Sequence, residues 1–326
     1  SWRRNPLKYL QSHRRFRDGL LEVTEQTSPR AVIFENVDLA RTALSIAKEH
    51  PKLPLIYWGT ELSCSLRQTP FRYYERRLAR MLTGLVMNHP GRVRVVKERT
   101  KCDVPAIVIP NTETRPENGG GVFERRPLRE MFARHNPDVK VIIFYAGIVS
   151  HKQAIHDVVE ALALVPAHIG FAFPRSVGNR RYLKKIDATV RRLGLSSRIV
   201  YPDWVPFDKV PEMAASADIG LALLRVNDLN TRYCASSKLY RYMCVGLPLL
   251  GASLPAIADI IEAEKIGVTC DVESTESIAA AIRRLDDADL RWELRRNAIE
   301  AFDKRHCLEV QWQKHRGTLM DWIGGG

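Results

Sequence analysis

The chain has 326 residues, 45% of them hydrophobic, and a formal net charge of +13. That length accommodates two α/β domains with full cores, and no apolar run approaches the ~20 residues that span a bilayer as a helix. The charge is uneven: residues 1–110 hold 20 Lys/Arg against 10 Asp/Glu, a net +10, and the remainder nets only +3. A basic first third suits an anionic partner such as a membrane surface, an anionic lipid acceptor or nucleic acid; a solvated Arg-rich surface accounts for the same excess. Nucleic acid is disfavoured, because the basic third shows no helix-turn-helix, zinc or aromatic-basic signature. Six cysteines are scattered without a C-x-x-C pair, which favours a reducing, cytoplasmic setting over a disulfide framework.

In chain order, apolar residues from Leu7 to Val23 fall at roughly helical spacing and predict one or two helices. Strands are expected at Arg30–Glu35, Leu53–Trp58, Leu85–Met87 and Val104–Pro110. Helices are expected at Asp38–Glu49 and, strongly basic, at Phe71–Met81. Alternation of strand and helix implies a parallel sheet. The polar stretch 112–138, with Gly119-Gly120-Gly121, reads as a connection plus a helix near Arg126–Arg134. A second run of alternating elements begins at Val141–Ala146 and continues to a last helix at His306–Ile323.

The stretch from Ser236 to Asp271 organises this second run. Ser236 or Ser237 caps a helix through its hydroxyl, and Leu239, Tyr242 and Met243 share one face. Gly246 ends the helix. Leu247–Gly251 is a short apolar run between breakers, as a buried parallel strand requires. Pro255 opens the next helix, and Val268–Cys270 is another strand. The first helix start, with Ser236, Ser237 and Lys238, is a candidate anion site.

These residues resemble the donor-binding core of the family-4 retaining glycosyltransferases of GT-B fold, with their P-x-K-L-x-E-Y-M-x-x-G-x-P-V segment. The resemblance extends from about Pro29 onward and is strongest over Val141–Asp271. Gly147-x4-Lys152 resembles the family's phosphate loop, with Lys152 matching and Ile148 replacing its Arg. Trp204-Val205-Pro206 resembles a turn whose backbone meets the nucleobase, and Ala217-Asp218-Ile219-Gly220 a strand entry. Two departures stand out. Where the family carries Glu-x7-Glu for the transferred sugar and the ribose, this chain has Tyr233 and Arg241. A carboxylate accepts hydroxyl hydrogen bonds, whereas a guanidinium only donates, so ribose recognition is altered.

The resemblance implies an α/β protein of GT-B fold, with two Rossmann-like domains on parallel sheets. The first, residues 1–111, lacks the family's front strands and Gly-rich acceptor loop and is expected to be incomplete. Residues 112–138 would connect it to a donor-binding domain at 139–304, and 305–326 would form a helix crossing back. The implied function is transfer of a sugar, with retention, from a UDP- or GDP-type nucleotide-sugar to a cell-envelope glycan or lipid; the basic first third adds a peripheral place on the inner face of the membrane as a variant of the cytoplasmic setting. The alternative is a non-catalytic GT-B binding protein. The implied donor residues are Gly147, Lys152, Val205, Pro206, Tyr233, Ser236, Ser237, Lys238, Leu239 and Arg241, with Lys152, Arg241 and Glu61 nearest the chemistry. Asn36, Glu61 and His89 are the acceptor-side candidates. No cofactor or metal is expected; Asp287-Ala288-Asp289 reads as a helix-to-helix loop rather than a metal motif.

Overall fold

The structure is a computed structural model describing residues 6–35, 39–62, 69–116, 126–175 and 178–324. Asn36 and the Gly119–Gly121 triplet lie outside the described residues. The chain forms two compact units, one of Ser1–Pro110 with Gln313–Gly326 and the other of Asn111–Trp312.

The first unit runs α1 (Pro6–Thr27), β1 (Val32–Glu35), α2 (Ala40–Glu49), β2 (Leu55–Gly59), α3 (Thr69–Ala79), β3 (Gly84–Met87), α4 (Pro90–Thr100) and β4 (Ala106–Val108). Its four strands are parallel in the order β1-β2-β3-β4. The N-terminal helical pattern is one helix. Helix α4 is absent from the periodicity reading above, because Pro90-Gly91 opens it and its valines alternate with Arg94 and Lys97 instead of forming a stripe. Topology demands it all the same, since consecutive parallel strands need a crossover.

One face of this sheet is covered by the end of the chain. Leu319 and Trp322 pack with Ile56, Val86, Ile107 and Ile109. The Trp322 indole lies against Gly84, where a Cβ would collide with the ring. We expect Gly84→Ala to destabilise this unit by about 1–3 kcal/mol through overpacking, read as a lowered midpoint in thermal unfolding; an unchanged midpoint would show that the indole can shift at no cost.

The second unit runs α5 (Pro127–His135), β5 (Val141–Phe144), α6 (Ile155–Leu162), β6 (Ile169–Ala172), α7 (Arg180–Arg192), β7 (Ile199–Val200), α8 (Val210–Ala215), β8 (Ile219–Ala222), α9 (Leu229–Arg232), α10 (Ser237–Met243), β9 (Leu249–Ala252), α11 (Pro255–Glu264), β10 (Gly267–Cys270), α12 (Thr275–Arg284) and α13 (Ala288–Ala301). Helix α14 follows at Leu308–Trp322. The six strands pair in parallel in the order β10-β9-β8-β5-β6-β7. Strands β5, β6, β8 and β9 are buried at every position, as a parallel sheet covered on both faces requires.

The order reverses at β5, with β6 on one side and β8 on the other. Crossovers from there leave to opposite faces, and the strand ends open a crevice where α/β proteins bind ligands. Tyr242 of α10 packs against Gly220 of β8, where a Cβ would come within 2.6 Å of its ring. Its hydroxyl accepts from the Ala146 N–H at 3.0 Å. The organising helix is thereby fixed to the loop that leaves β5.

Candidate functional site

A cavity of about 280 Å³ lies at that reversal, beyond the C-terminal end of β5. The loop after β5 supplies Tyr145, Gly147, Ile148 and Gln153, the segment after β7 supplies Pro202–Val205 and Phe207, and α10 supplies Ser237, Lys238 and Arg241. Trp204, Val205 and Phe207 make the lining largely apolar, and α10 makes one end cationic through Lys238 and Arg241, the latter lying against Phe207.

Local rules explain the cationic end. Gly147 has φ 154°, and a Cβ there would stand 2.8 Å from the Lys238 side chain and 2.8 Å from the Tyr145 hydroxyl. Only glycine fits such a backbone beside such neighbours. Tyr145 donates to the Ile148 carbonyl at 2.9 Å, closing the loop on itself. The Ser236 hydroxyl accepts from the Lys238 N–H at 3.4 Å and starts α10, as its residue type predicts.

Lys238 has its ammonium 5.4 Å from the centre of the Tyr145 ring. Among the described residues it has no carboxylate partner. Burial pushes its pKa below the usual lysine value; Cys234 opposes that shift and Arg241 adds to it. A buried ammonium without a counter-ion is costly, so the cavity offers a positive charge that an anion would satisfy.

Arg241, expected among the donor residues nearest the chemistry, is already engaged. Its Nε and Nη2 donate to Glu113 Oε1 at 3.0 and 2.7 Å, and its guanidinium lies 3.4 Å from the centre of the Phe207 ring. Glu113 is held in turn, its carbonyl accepting from the Leu308 N–H at 2.9 Å. Nothing in the local sequence marks Glu113, which lies 128 positions before its partner.

The other expected residues divide. Gly147, Val205, Ser237, Lys238 and Arg241 line the cavity. Lys152, Pro206, Tyr233, Ser236 and Leu239 do not. Lys152 is exposed on a short 3-10 turn, His151–Gln153, and its charge helps to hold down the pKa of Asp228, after that carboxylate's hydrogen bonds with Thr231. Tyr233 caps the C-terminus of α9, and Leu239 is buried in the core. Asp203 is the sole carboxylate among the lining residues and is exposed at the rim; sequence reading passed over it.

Glu61 and His89 belong to the first unit. Glu61 is exposed just beyond β2. His89 is buried, and its Nδ1 accepts from the Gly91 N–H at 3.1 Å as the cap of α4. At the same strand ends Asn88 donates to the Thr60 carbonyl at 3.1 Å, and Thr60 to Glu35 at 2.8 Å.

Asp218 is structural: it accepts from the Ile142 N–H at 2.7 Å and from Arg129 at 2.5 Å. Asp287 caps α13 by accepting from Asp289 and Leu290. Among the described residues, His156, Asp157 and Glu160 lie close enough to share an ion. However, Asp157 pairs with Arg225 at 2.7 Å and the His156 Nε2 meets the Thr189 hydroxyl at 2.9 Å.

A reversed parallel sheet with its cavity at the switch point defines a doubly wound, ligand-binding α/β protein. Comparison with known proteins narrows the class. Residues 139–287 match the family described as glycosyl transferases group 1, and no curated protein matches the chain. Three solved structures similar to it are a glycosyltransferase from Rickettsia africae, sucrose-phosphate synthase from Thermosynechococcus elongatus, and Anabaena HepE in complex with UDP. The Rickettsia protein has a TM-score of 0.77 at 13% identity, over 95% of this chain and 81% of that one. The synthase has 0.75 at 11%, over 97% and 79%. HepE has 0.72 at 14%, over 93% and 82%. The fold is GT-B. The chain is a transferase carrying the group 1 glycosyltransferase domain over residues 139–287.

Proposed function

We propose that the cavity binds a nucleotide-sugar of UDP or GDP type. The diphosphate would lie at Ser237 and Lys238, and the base against the apolar lining at Trp204 and Val205. The chain would transfer the sugar, with retention, to a cell-envelope glycan or lipid. The observation that carries this reading is Lys238, a half-buried cation facing the cavity with no carboxylate partner among the described residues. Charge building on the leaving diphosphate would be stabilised there by a group already in position. The UDP bound to HepE is consistent with such a donor. Calorimetric titration with UDP and GDP tests the reading; if neither nucleotide binds, the donor assignment is wrong.

A second reading, a protein that binds the donor without transfer, is favoured by Tyr233 and Arg241. Neither side chain offers a carboxylate, and Arg241 is committed to Glu113. Release of free sugar from the bound nucleotide-sugar, measured alongside affinity, separates the two.

For the acceptor side we propose attachment to the inner face of a membrane through the basic third. Arg76, Arg77 and Arg80 are exposed along and just after α3, beside exposed Tyr73, and no helix among the described residues is long and apolar enough to cross a membrane. Exposed charges are screened by salt. The protein should therefore sediment with anionic vesicles at low salt and progressively less as salt rises; equal sedimentation with neutral vesicles would refute attachment through charge.

A further inference from the structure

Arg225 follows β8 and is 8% exposed, yet it lies outside the cavity lining. Its backbone N–H donates to the Lys152 carbonyl at 2.8 Å, and its Nη1 to the His151 carbonyl at 3.0 Å. Nη2 donates to Asp157 Oδ1 in the first turn of α6 at 2.7 Å, and Nε to the Glu273 carboxylate at 3.0 Å. Nη2 also approaches the Val272 carbonyl at 3.4 Å. One residue thereby joins the three segments that leave the C-terminal ends of β5, β8 and β10.

Arg225 adds to the internal hydrogen bonds of the segment it holds, Gln153 N–H to the Ser150 carbonyl at 3.1 Å and Ala154 N–H to the His151 carbonyl at 3.3 Å. The turn His151–Gln153 ends on Ala154 at φ 53°, a left-handed conformation that surroundings must impose on a residue with a Cβ. Gln153 at the end of this turn lines the cavity, as do Gly147 and Ile148 before it. Carbonyl oxygens left to face an incoming anion would repel it. The carbonyls of His151 and Lys152 are instead taken up by Arg225.

We propose that Arg225 is a positioning residue for the donor, fixing the His151–Ala154 turn so that the loop after β5 is already shaped for a diphosphate. This inference rests on the nucleotide-sugar reading of the cavity. Lysine keeps the charge but lacks the planar fork that reaches several acceptors at once.

The test combines UDP titration with hydrogen exchange on the full chain. Arg225→Gln is expected to weaken UDP binding about 10- to 100-fold, the scale of a slightly misplaced binding group, with Arg225→Lys falling between it and the wild type. Amides from 148 to 155 should exchange faster in both variants without UDP, while those of β5 and β8 stay protected. A purely structural role would lower the unfolding temperature and leave UDP affinity unchanged in the folded protein, which would overturn the proposal. Should Arg225→Gln fail to fold, Glu273→Gln, at an exposed carboxylate, removes one leg of the clamp; it should give the same local rise in exchange and a smaller loss of affinity, and no change in either would also overturn it. If the wild type binds neither UDP nor GDP, the reading of the cavity fails instead.

Discussion

Lys238→Met is expected to lower UDP affinity about 10- to 100-fold, the equivalent of losing one charge-assisted hydrogen bond of about 1.5–3 kcal/mol. Methionine preserves bulk against Tyr145 and Gly147, so the loss reports charge rather than packing. The same lysine sets a pH dependence. Its pKa is lowered in the free protein, mainly by burial, and a bound diphosphate would draw it back up. Binding should therefore take up a proton between the lowered value and the ordinary lysine value near 10.4, and affinity should fall as pH rises through that window. Stability should move the other way. The unfolded chain holds this proton more readily than the native one, so stability rises with pH over the same window. Calorimetry in buffers of different ionisation enthalpy detects the proton, and Lys238→Met should abolish the uptake. Lys152→Ala, at an exposed lysine whose influence reaches Asp228, should change affinity by less than about threefold, as expected of a surface charge. If instead Lys152→Ala were the damaging change, the diphosphate would have to lie at the 3-10 turn.

Arg241→Glu should destabilise the second unit by about 3–5 kcal/mol, the cost of breaking a buried pair. The lower end is favoured because the Glu113 side chain is 24% exposed. The change puts two carboxylates where one guanidinium bridged Glu113 and covered Phe207. In a unit of this size the midpoint should fall by roughly 6–20 °C, at about 2–4 °C per kcal/mol. Read from the sequence, the same substitution restores a family residue: it would lower activity in a transferase that uses Arg241 and be neutral or helpful to nucleotide binding in a degenerate binding module. The pairing with Glu113 adds a stability cost that neither reading contains. A charge swap, Arg241→Glu with Glu113→Arg, should recover part of the loss, and the non-additivity measures the pair. An unaltered melting curve for Arg241→Glu alone would mean that the pair is absent in solution.

The contrast shows where the sequence was readable. Strands β5, β8 and β9 are uninterrupted apolar runs because both faces of a parallel sheet are covered, and Ser236, Gly246 and Pro255 punctuate the helices beside them. Signals of this kind are local, so the organising stretch could be read directly, and its resemblance to a known family implied the GT-B fold. Helix α4 could not, because its valines carry no clear stripe and only the crossover rule requires it. The site was legible as a set of candidates but not as an arrangement. Lys152 and Lys238 both sit near helix starts, and only the folded arrangement, with Lys238 lining the cavity and Lys152 exposed outside it, separates them. The pairing of Arg241 was not legible because its neutralising carboxylate sits 128 residues earlier. Pairings over that distance leave no trace in local pattern.

Leu319 and Trp322 close one face of a sheet whose strands lie between Val32 and Val108. Synthesis runs the other way. Those strands leave the ribosome before the residues that cover them, which follow only after the whole of the contiguous second unit has emerged. The first unit is thus started before the second and completed only after it. Until the final turn of α14 is released, Ile56, Val86 and Ile107 lack the side chains that shield them from water, and a nascent chain stalled before Gln313 would carry that apolar face uncovered.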